Sequence, residues 1–413
     1  MRYTLLLMVC SSLAWPASDP QERTWSRFRG HAAAGISLVP IPTRWDKANT
    51  LWQTPIEGQG HGSPIVWENK LFLPTSSSDG SRRLLIRLNA TTGKVEWSQT
   101  LPGNTAPRHR KNSLASSTPT TDGQMVYLCT WDGRDIAVVA YDFAGQLQWQ
   151  TPLGSITANH GAGHSPIVYD GLVYVAKDHD SGADLIALDA KSGKIRWQKQ
   201  RPAFRACYST PLINEQPGQP AELIVVSTAD VAGYDPQTGE KKWFCRWSFN
   251  KEELRTVASP FIWKDLVIVS SGSGGGERQV MAVRLGGLGD VTTTHRVWQL
   301  NKGIPYVPTM VAHDDWLFYV NDQGIAGCLE ARSGKTVWTQ RLSGAFSASP
   351  LCIAGNIYAC NEDGDVFVFA AAASYKLLAK NSLNDGVIAT PAAVGGRLYL
   401  RTFQHLWCIG SVK

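Results

Sequence analysis

The stretch LIALDAKSGKIRWQ, Leu185 to Gln198, reads as an apolar strand, a tight turn and a second strand carrying tryptophan. Leu185 to Leu188 alternate faces with the period of two that marks a strand. Asp189 and Ser192 are residues that hydrogen-bond turn backbone, and Gly193 supplies the positive φ that a tight turn demands. Lys194 and Arg196 suit the water-facing side of an outer strand. Trp197 is too large for such a strand unless it covers something. Near copies recur along the chain, each with tryptophan four residues after glycine. They end at Trp97 (LIRLNATTGKVEW), Trp149 (VVAYDFAGQLQW), Trp243 (VAGYDPQTGEKKW) and Trp338 (GCLEARSGKTVW). The copy ending at Trp298 has a longer loop, GGLGDVTTTHR. In VFAAAASYKLL both the glycine and the tryptophan are missing, and Leu378 stands near the tryptophan position.

A second recurring phrase precedes each of these: Ser/Thr-Pro, a few mixed residues, then an apolar strand. It begins at Ser63, Thr118, Ser165, Thr210, Ser259, Thr309, Ser349 and Thr390, with Met310 replacing the proline once. The spacing of the proline positions runs from 40 residues (310 to 350) to 55 (64 to 119). That is the length of a four-stranded propeller blade. After Thr390 the chain stops before a closing tryptophan strand, whereas TLWQTPI, Thr50 to Ile56, matches a fourth strand with nothing before it. The expectation is all-β: a single eight-bladed β-propeller closed by an N-terminal strand completing the C-terminal blade. Such a closure leaves no major unpaired edge.

Composition agrees. The chain has 413 residues, 43% hydrophobic and only 18% charged, with 38 glycines and 16 tryptophans. The net charge of +6 is scattered. The densest basic cluster, PRHRK (Pro107 to Lys111), reads as a solvated loop, so no nucleic-acid partner is expected. MRYTLLLMVCSSLAWPAS has a cation, an apolar run and then small residues, the layout of a secretory signal. The expected domains are residues 1–17 as signal peptide, 18–44 as an N-terminal arm and 45–413 as the propeller. The mature chain is expected to be exported to the periplasm or beyond, without a transmembrane segment, as a monomer. Its seven cysteines are widely spaced and read as small apolar strand residues.

The unit resembles the tryptophan-docking repeat of the pyrroloquinoline-quinone-like propellers, a superfamily that includes quinoprotein alcohol dehydrogenases. The resemblance covers about residues 45–410. It implies that Asp189, Ser192, Gly193 and Trp197 dock one blade on the next. The same role then falls on Trp52, Gly93, Trp97, Gly145, Trp149, Gly239, Trp243, Trp298, Gly334 and Trp338. WSRFRGHAAAG, Trp25 to Gly35, is similar to a W-x-x-F-R-G segment in exported bacterial members. It has two courses open, over one end of the ring or along a groove between blades, and the groove is the expectation.

The family's enzymes hold pyrroloquinoline quinone with calcium or a lanthanide in the central funnel, using Glu, Asn and Asp, and commonly carry a vicinal disulfide. This sequence has no Cys-Cys, and no matching ligand set is assignable. No catalytic residue, cofactor or metal is therefore expected. Polar and aromatic residues just before the Ser/Thr-Pro strands, His61, Asn112, His164, Tyr208 and Tyr306, should gather at one channel mouth. NEDGDVFVF, Asn361 to Phe369, reads as a hairpin turn rather than a calcium loop, and SGSGGGE, Ser271 to Glu277, as a loop between strands. The expected function is a noncatalytic binding or scaffold module for an envelope protein, glycan or small ligand. The alternative is a quinoprotein oxidoreductase.

Overall fold

The computed structural model describes residues 23–250 and 254–411; the expected signal peptide lies outside them. The described strands form eight sheets, each built on four antiparallel strands, arranged as the blades of a propeller. Blade 1 runs through Ile65–Trp67, Lys70–Ser76, Arg83–Asn89 and Val95–Thr100. Within blade 3 the middle strands are buried, while the outer strand Ile195–Gln200 is exposed except at half-buried Trp197. No described helix is long and apolar enough to cross a membrane.

Blade 8 contains Ala392–Val394, Arg397–Arg401 and His405–Gly410. Its fourth strand is Thr50–Pro55, antiparallel to His405–Gly410 with Trp52 opposite Cys408 and Thr54 opposite Leu406. The ring is thus closed by main-chain hydrogen bonds between the two ends of the repeat region. All seven described cysteines are buried and unpaired.

Each joint is held at two radii. On the outside, an indole N–H reaches a main-chain carbonyl of the next blade's turn. Trp52 bonds Ala90 at 3.2 Å, Trp149 bonds Ala190 at 2.9 Å and Trp197 bonds Pro236 at 3.0 Å. Trp97, Trp298 and Trp338 likewise reach Phe143, Ala331 and Ala372. The turn glycine sits against the indole: a Cβ on Gly193 would lie 2.5 Å from Trp149, and Gly93, Gly145, Gly239 and Gly334 face Trp52, Trp97, Trp197 and Trp298 in the same way. Asp189 shapes its turn by accepting from Ser192 Oγ at 2.8 Å and Ser192 N at 2.9 Å. Two residues after tryptophan, Thr54 and Thr151 add bonds to the carbonyls of Gly93 and Gly193, both 2.7 Å.

On the inside, the Ser/Thr hydroxyls form a second belt. The backbone N–H of Ser63 donates to Thr118 and that of Thr118 to Ser165. The links resume from Thr210 to Ser259, Thr309, Ser349 and Thr390, all at 2.9–3.0 Å. The recurring Ser/Thr is a blade-to-blade hydrogen-bond acceptor.

Two joints depart from the expected docking. Trp243 lies in the apolar seam between blades 4 and 5, but its N–H bonds Glu222 of its own blade at 3.0 Å. The long blade 5 loop instead lays Gly289–Asp290 alongside blade 4 as a fifth strand, with Trp243 opposite Gly289. At the joint between blades 7 and 8, Leu378 packs in one apolar cluster with Trp45 and Leu51. There Trp45 N donates to Asn381 Oδ1 at 3.0 Å, and Asn381 donates back to the Thr43 carbonyl at 2.9 Å.

The W-x-x-F-R-G segment takes the course over one end of the ring, not a groove between two blades. Thr24–Trp25 pairs with the inner strand of blade 1 and Ile36–Ser37 with that of blade 7. Between them Arg29 is wholly buried. It donates to the carbonyls of Met310 (2.7 Å), Pro350 (3.0 Å), Ala33 and Ala34 (both 3.1 Å). Burial pushes its pKa down to about 9, so it stays charged at neutral pH. Arg27 reaches the carbonyl of Pro211 in blade 4. The segment therefore ties together blades on opposite sides of the channel.

Gly193→Ala and Gly218→Ala provide a paired test of the outer joint. Both glycines have positive φ, 69° and 74°, but a Cβ on Gly218 meets nothing within 4 Å. G218A should cost the backbone penalty alone, about 1 kcal/mol. G193A should cost roughly 2 kcal/mol more, because Trp149 must leave its seat. Urea unfolding midpoints measure the difference; equal costs would remove the indole–glycine contact as a source of stability.

Candidate functional site: a basic cavity with one end closed

The channel opens at the end bearing the blade-to-blade connections and encloses a cavity of about 740 Å³. Phe28 of the N-terminal segment lines it from the closed side. The Ser/Thr belt, one residue per blade from Ser63 to Thr390, lines its wall.

Four of the five sequence-predicted mouth residues, His61, Asn112, Tyr208 and Tyr306, line this cavity. His61 is held by the Lys111 carbonyl at 3.1 Å, and burial pushes its pKa down to about 4. The Asn112 amide donates to the carbonyls of His160 (2.7 Å) and Ala162 (3.1 Å), and its oxygen accepts from Ser116, so it ties loops together. Tyr208 donates to the Gly161 carbonyl at 3.0 Å, and burial raises its phenol pKa. Burial pushes Tyr306 up to about 12. Its ring lies under the Arg278 guanidinium, 5.7 Å from centroid to cation.

His164 is the exception, so the two histidines do not share the mouth. It is only 3% exposed, inside the wall, with Nε2 against the Asp178 carbonyl at 3.0 Å. The reason is register. In GHGSP, His61 stands two residues before serine; in GAGHSP, His164 stands one before it. Side chains alternate faces along extended backbone, so one step turns a residue from channel to wall. The residue two before each Ser/Thr, Gly163 and Tyr208 among them, lines the cavity in every blade. Counting back two would have identified the lining.

PRHRK is solvent-exposed at Pro107, His109 and Arg110, as its sequence suggests, but it is also part of the site. His109, Arg110 and Lys111 line the cavity. The loop crosses toward blade 7, where Lys111 Nζ meets Glu362 at 2.5 Å, and Glu362 also accepts from Ser347 at 2.6 Å. His109 stacks on His160 with centroids 4.9 Å apart. Arg205, Arg255 and Arg278 complete the cationic lining. These residues come from different blade connections, and no periodic sequence signal joins them.

Asp322 is the carboxylate in the lining. It accepts from Arg278 at 3.0 Å and from the backbone N–H groups of Tyr306 (2.9 Å) and Val307 (3.2 Å). Among the described residues no group of three or more His, Cys, Asp or Glu gathers to hold a metal ion. Asn361 folds its turn by accepting from the N–H groups of Asp363 and Asp365, and SGSGGGE forms a strand-to-strand hairpin at the rim.

Fold and site define a closed eight-bladed propeller of the pyrroloquinoline-quinone-like class. The family described as outer membrane protein assembly factor BamB matches residues 43–164, 114–340, 288–374 and 322–407, and the chain belongs to this family. It is 24% identical over 230 residues to outer membrane protein assembly factor BamB of Moranella endobia, a match covering 54% of this chain and 52% of that protein. It is 24% identical over 288 residues to a polyvinylalcohol dehydrogenase of Sphingopyxis, covering 57% of this chain and 41% of that enzyme. The chain thus spans about half or less of these two relatives' lengths. The crystal structure of BamB from Moraxella catarrhalis superposes with a TM-score of 0.61 at 12% identity, covering 87% of this chain and 99% of that one. Quinohemoprotein alcohol dehydrogenase from Comamonas testosteroni gives 0.64 at 12% identity, covering 95% and 82%.

The wall histidine predicts acid sensitivity. Burial pushes the His164 pKa from 6.5 to about 4. The unfolded chain takes up this proton as pH falls through 6.5, whereas the folded one resists until about 4. The associated stability is complete above 6.5 and is lost between 6.5 and 4, amounting to about 2 kcal/mol by pH 5. The Asp178 carboxyl is pushed up by burial to about 6, against the pull of Arg201 at 2.5 Å, and its linkage runs the opposite way. The comparison with His164→Gln, whose amide can donate to the same carbonyl, isolates the imidazole. Urea midpoints at pH 7 and 5 should show wild type losing about 2 kcal/mol more than H164Q. Equal losses would remove His164 as the acid-sensitive group.

Proposed function

We propose that the protein is an exported, noncatalytic binding or scaffold module of the cell envelope that engages a protein or glycan partner at its open rim. The observation carrying this reading is the asymmetry of the channel. The N-terminal segment closes one end with a buried arginine, while the other opens into a basic cavity framed by the nonrepeating loops. Blade joints recur because every blade needs one. Recognition needs a unique surface, and the rim is where the copies diverge. Membership in a family described by outer membrane protein assembly supports an envelope setting.

The alternative, a quinoprotein oxidoreductase, requires donors for a calcium or lanthanide ion. Hard cations take carboxylate and carbonyl oxygens. Here Asp322 is held by an arginine and two backbone amides, Glu362 by Lys111 and Ser347, and the Asn112 amide bridges two loops. The remaining ionic groups in the lining are cations. This donor set does not fit the metal.

A photo-crosslinking side chain at Arg110 or Phe204 on the rim should capture a discrete partner in the native envelope. The same probe at Leu38, 75% exposed on the closing segment, should not. Capture from Leu38 alone, or none from the rim, would overturn the reading. Reconstitution with pyrroloquinoline quinone plus calcium or a lanthanide should give no dye-linked alcohol oxidation; turnover with one quinone per chain would establish the alternative.

A further inference from the structure

The cavity has a chemical bias that narrows its ligand. Its lining includes the five cations Arg110, Lys111, Arg205, Arg255 and Arg278, which meet three carboxylates: Glu362 at Lys111, Asp180 at Arg205 and Arg255, and Asp322 at Arg278, leaving an excess of positive charge. Arg110 is exposed and forms no ion pair among the described residues. Arg255 lies 3.9 Å from Asp180, with Nε and Nη2 buried and without a hydrogen-bond acceptor. Those two nitrogens have essentially no solvent-accessible surface, so an anion entering the cavity meets Arg255 through the charge of its guanidinium and not through them.

The belt supplies the second, independent bias. A hydroxyl that accepts a backbone N–H keeps its own proton to donate. Thr118, Ser165, Ser259, Thr309, Ser349 and Thr390 all accept in this way and line the cavity. The wall therefore offers hydroxyl donors below a cationic mouth. Phe28, Tyr208 and Tyr306 add aromatic surface. A volume of about 740 Å³, closed on one side, suits a small molecule or the end of a chain.

We propose that this cavity binds a small polyanion of about disaccharide size, bearing two or more carboxylate, phosphate or sulfate groups. The charged groups sit at the Arg110–Lys111–Arg255 mouth, and the polar body rests on the hydroxyl belt. This rests on the binding-module reading and names the chemistry recognised at the same rim. An acidic envelope glycan and a soluble polyacid share that chemistry.

Isothermal titration of the full chain at low ionic strength tests it. The probes are citrate, tripolyphosphate, a sulfated disaccharide and a uronic-acid disaccharide, with acetate and a neutral disaccharide as controls. The polyanions should bind at least about tenfold more tightly than acetate and weaken as salt is added. Arg110→Ala and Arg255→Gln should each weaken binding by about three- to tenfold. Lys194→Ala, exposed in the turn before the outer strand of blade 3, should leave it unchanged. Tighter binding of the charged disaccharides than of citrate at matched charge would indicate the glycan source, and the reverse the soluble one. Polyanions binding no better than acetate, or binding that R110A and R255Q leave intact, would overturn the proposal. A rim partner crosslinked despite that result would leave the binding-module reading standing.

Discussion

An indole has one N–H donor, and in six joints it reaches a main-chain carbonyl of the next blade. The propeller depends on this contact. It ties each outer strand to its neighbour where the rest of the strand is exposed. It also constrains the receiving turn, which must present a carbonyl and, in most joints, lack a side chain where the indole rests. Gly and Trp recur four residues apart because each turn receives the indole of the preceding blade while the strand that follows it sends its own indole to the next, as Gly193 seats Trp149 and Trp197 reaches Pro236. The inner belt works similarly, since six of its hydroxyls each accept a backbone N–H from the preceding blade.

The exceptions follow from the same constraint. The receiving turn of blade 8 would lie between Gly410 and Thr50, where the repeat region has its two ends. No continuous turn crosses that gap, and an indole would have no seat there. Leu378 fills the position, while Trp45 and Asn381 supply a different connection from the preceding segment. At blades 4 and 5 the receiving turn is lengthened, so main-chain pairing replaces the indole bond and Trp243 turns to Glu222. A missing motif thus marks a changed joint, not a weakened one.

Blade number, closure and docking turns were legible because each is written several times, so that one degenerate copy does not hide the rule. The role of Trp243 was not, since its partner depends on a loop some 45 residues later. The mouth was half legible. His61, Asn112, Tyr208 and Tyr306 reach the cavity, but His164 fails by one residue of register. The cations escaped notice because each comes from a separate connection and converges only when the ring closes. PRHRK read as an ordinary charged loop, since nothing in that segment reveals that Glu362 waits across the mouth.

The closing segment links the fold to the site. Arg29 stays charged while wholly buried because backbone carbonyls of blades 6 and 7 and of its own turn surround it. Gly30 and Gly35 make this geometry feasible, because a Cβ on either would meet Trp25 or the Arg29 guanidinium at 2.6 Å. The same turn carries Phe28 to the cavity and converts an open channel into a cup. A cup has one entrance, so the field of the rim cations acts on whatever enters instead of being relieved through the far end. The W-x-x-F-R-G segment therefore sets the depth of the cavity, and the loops above it set the charge.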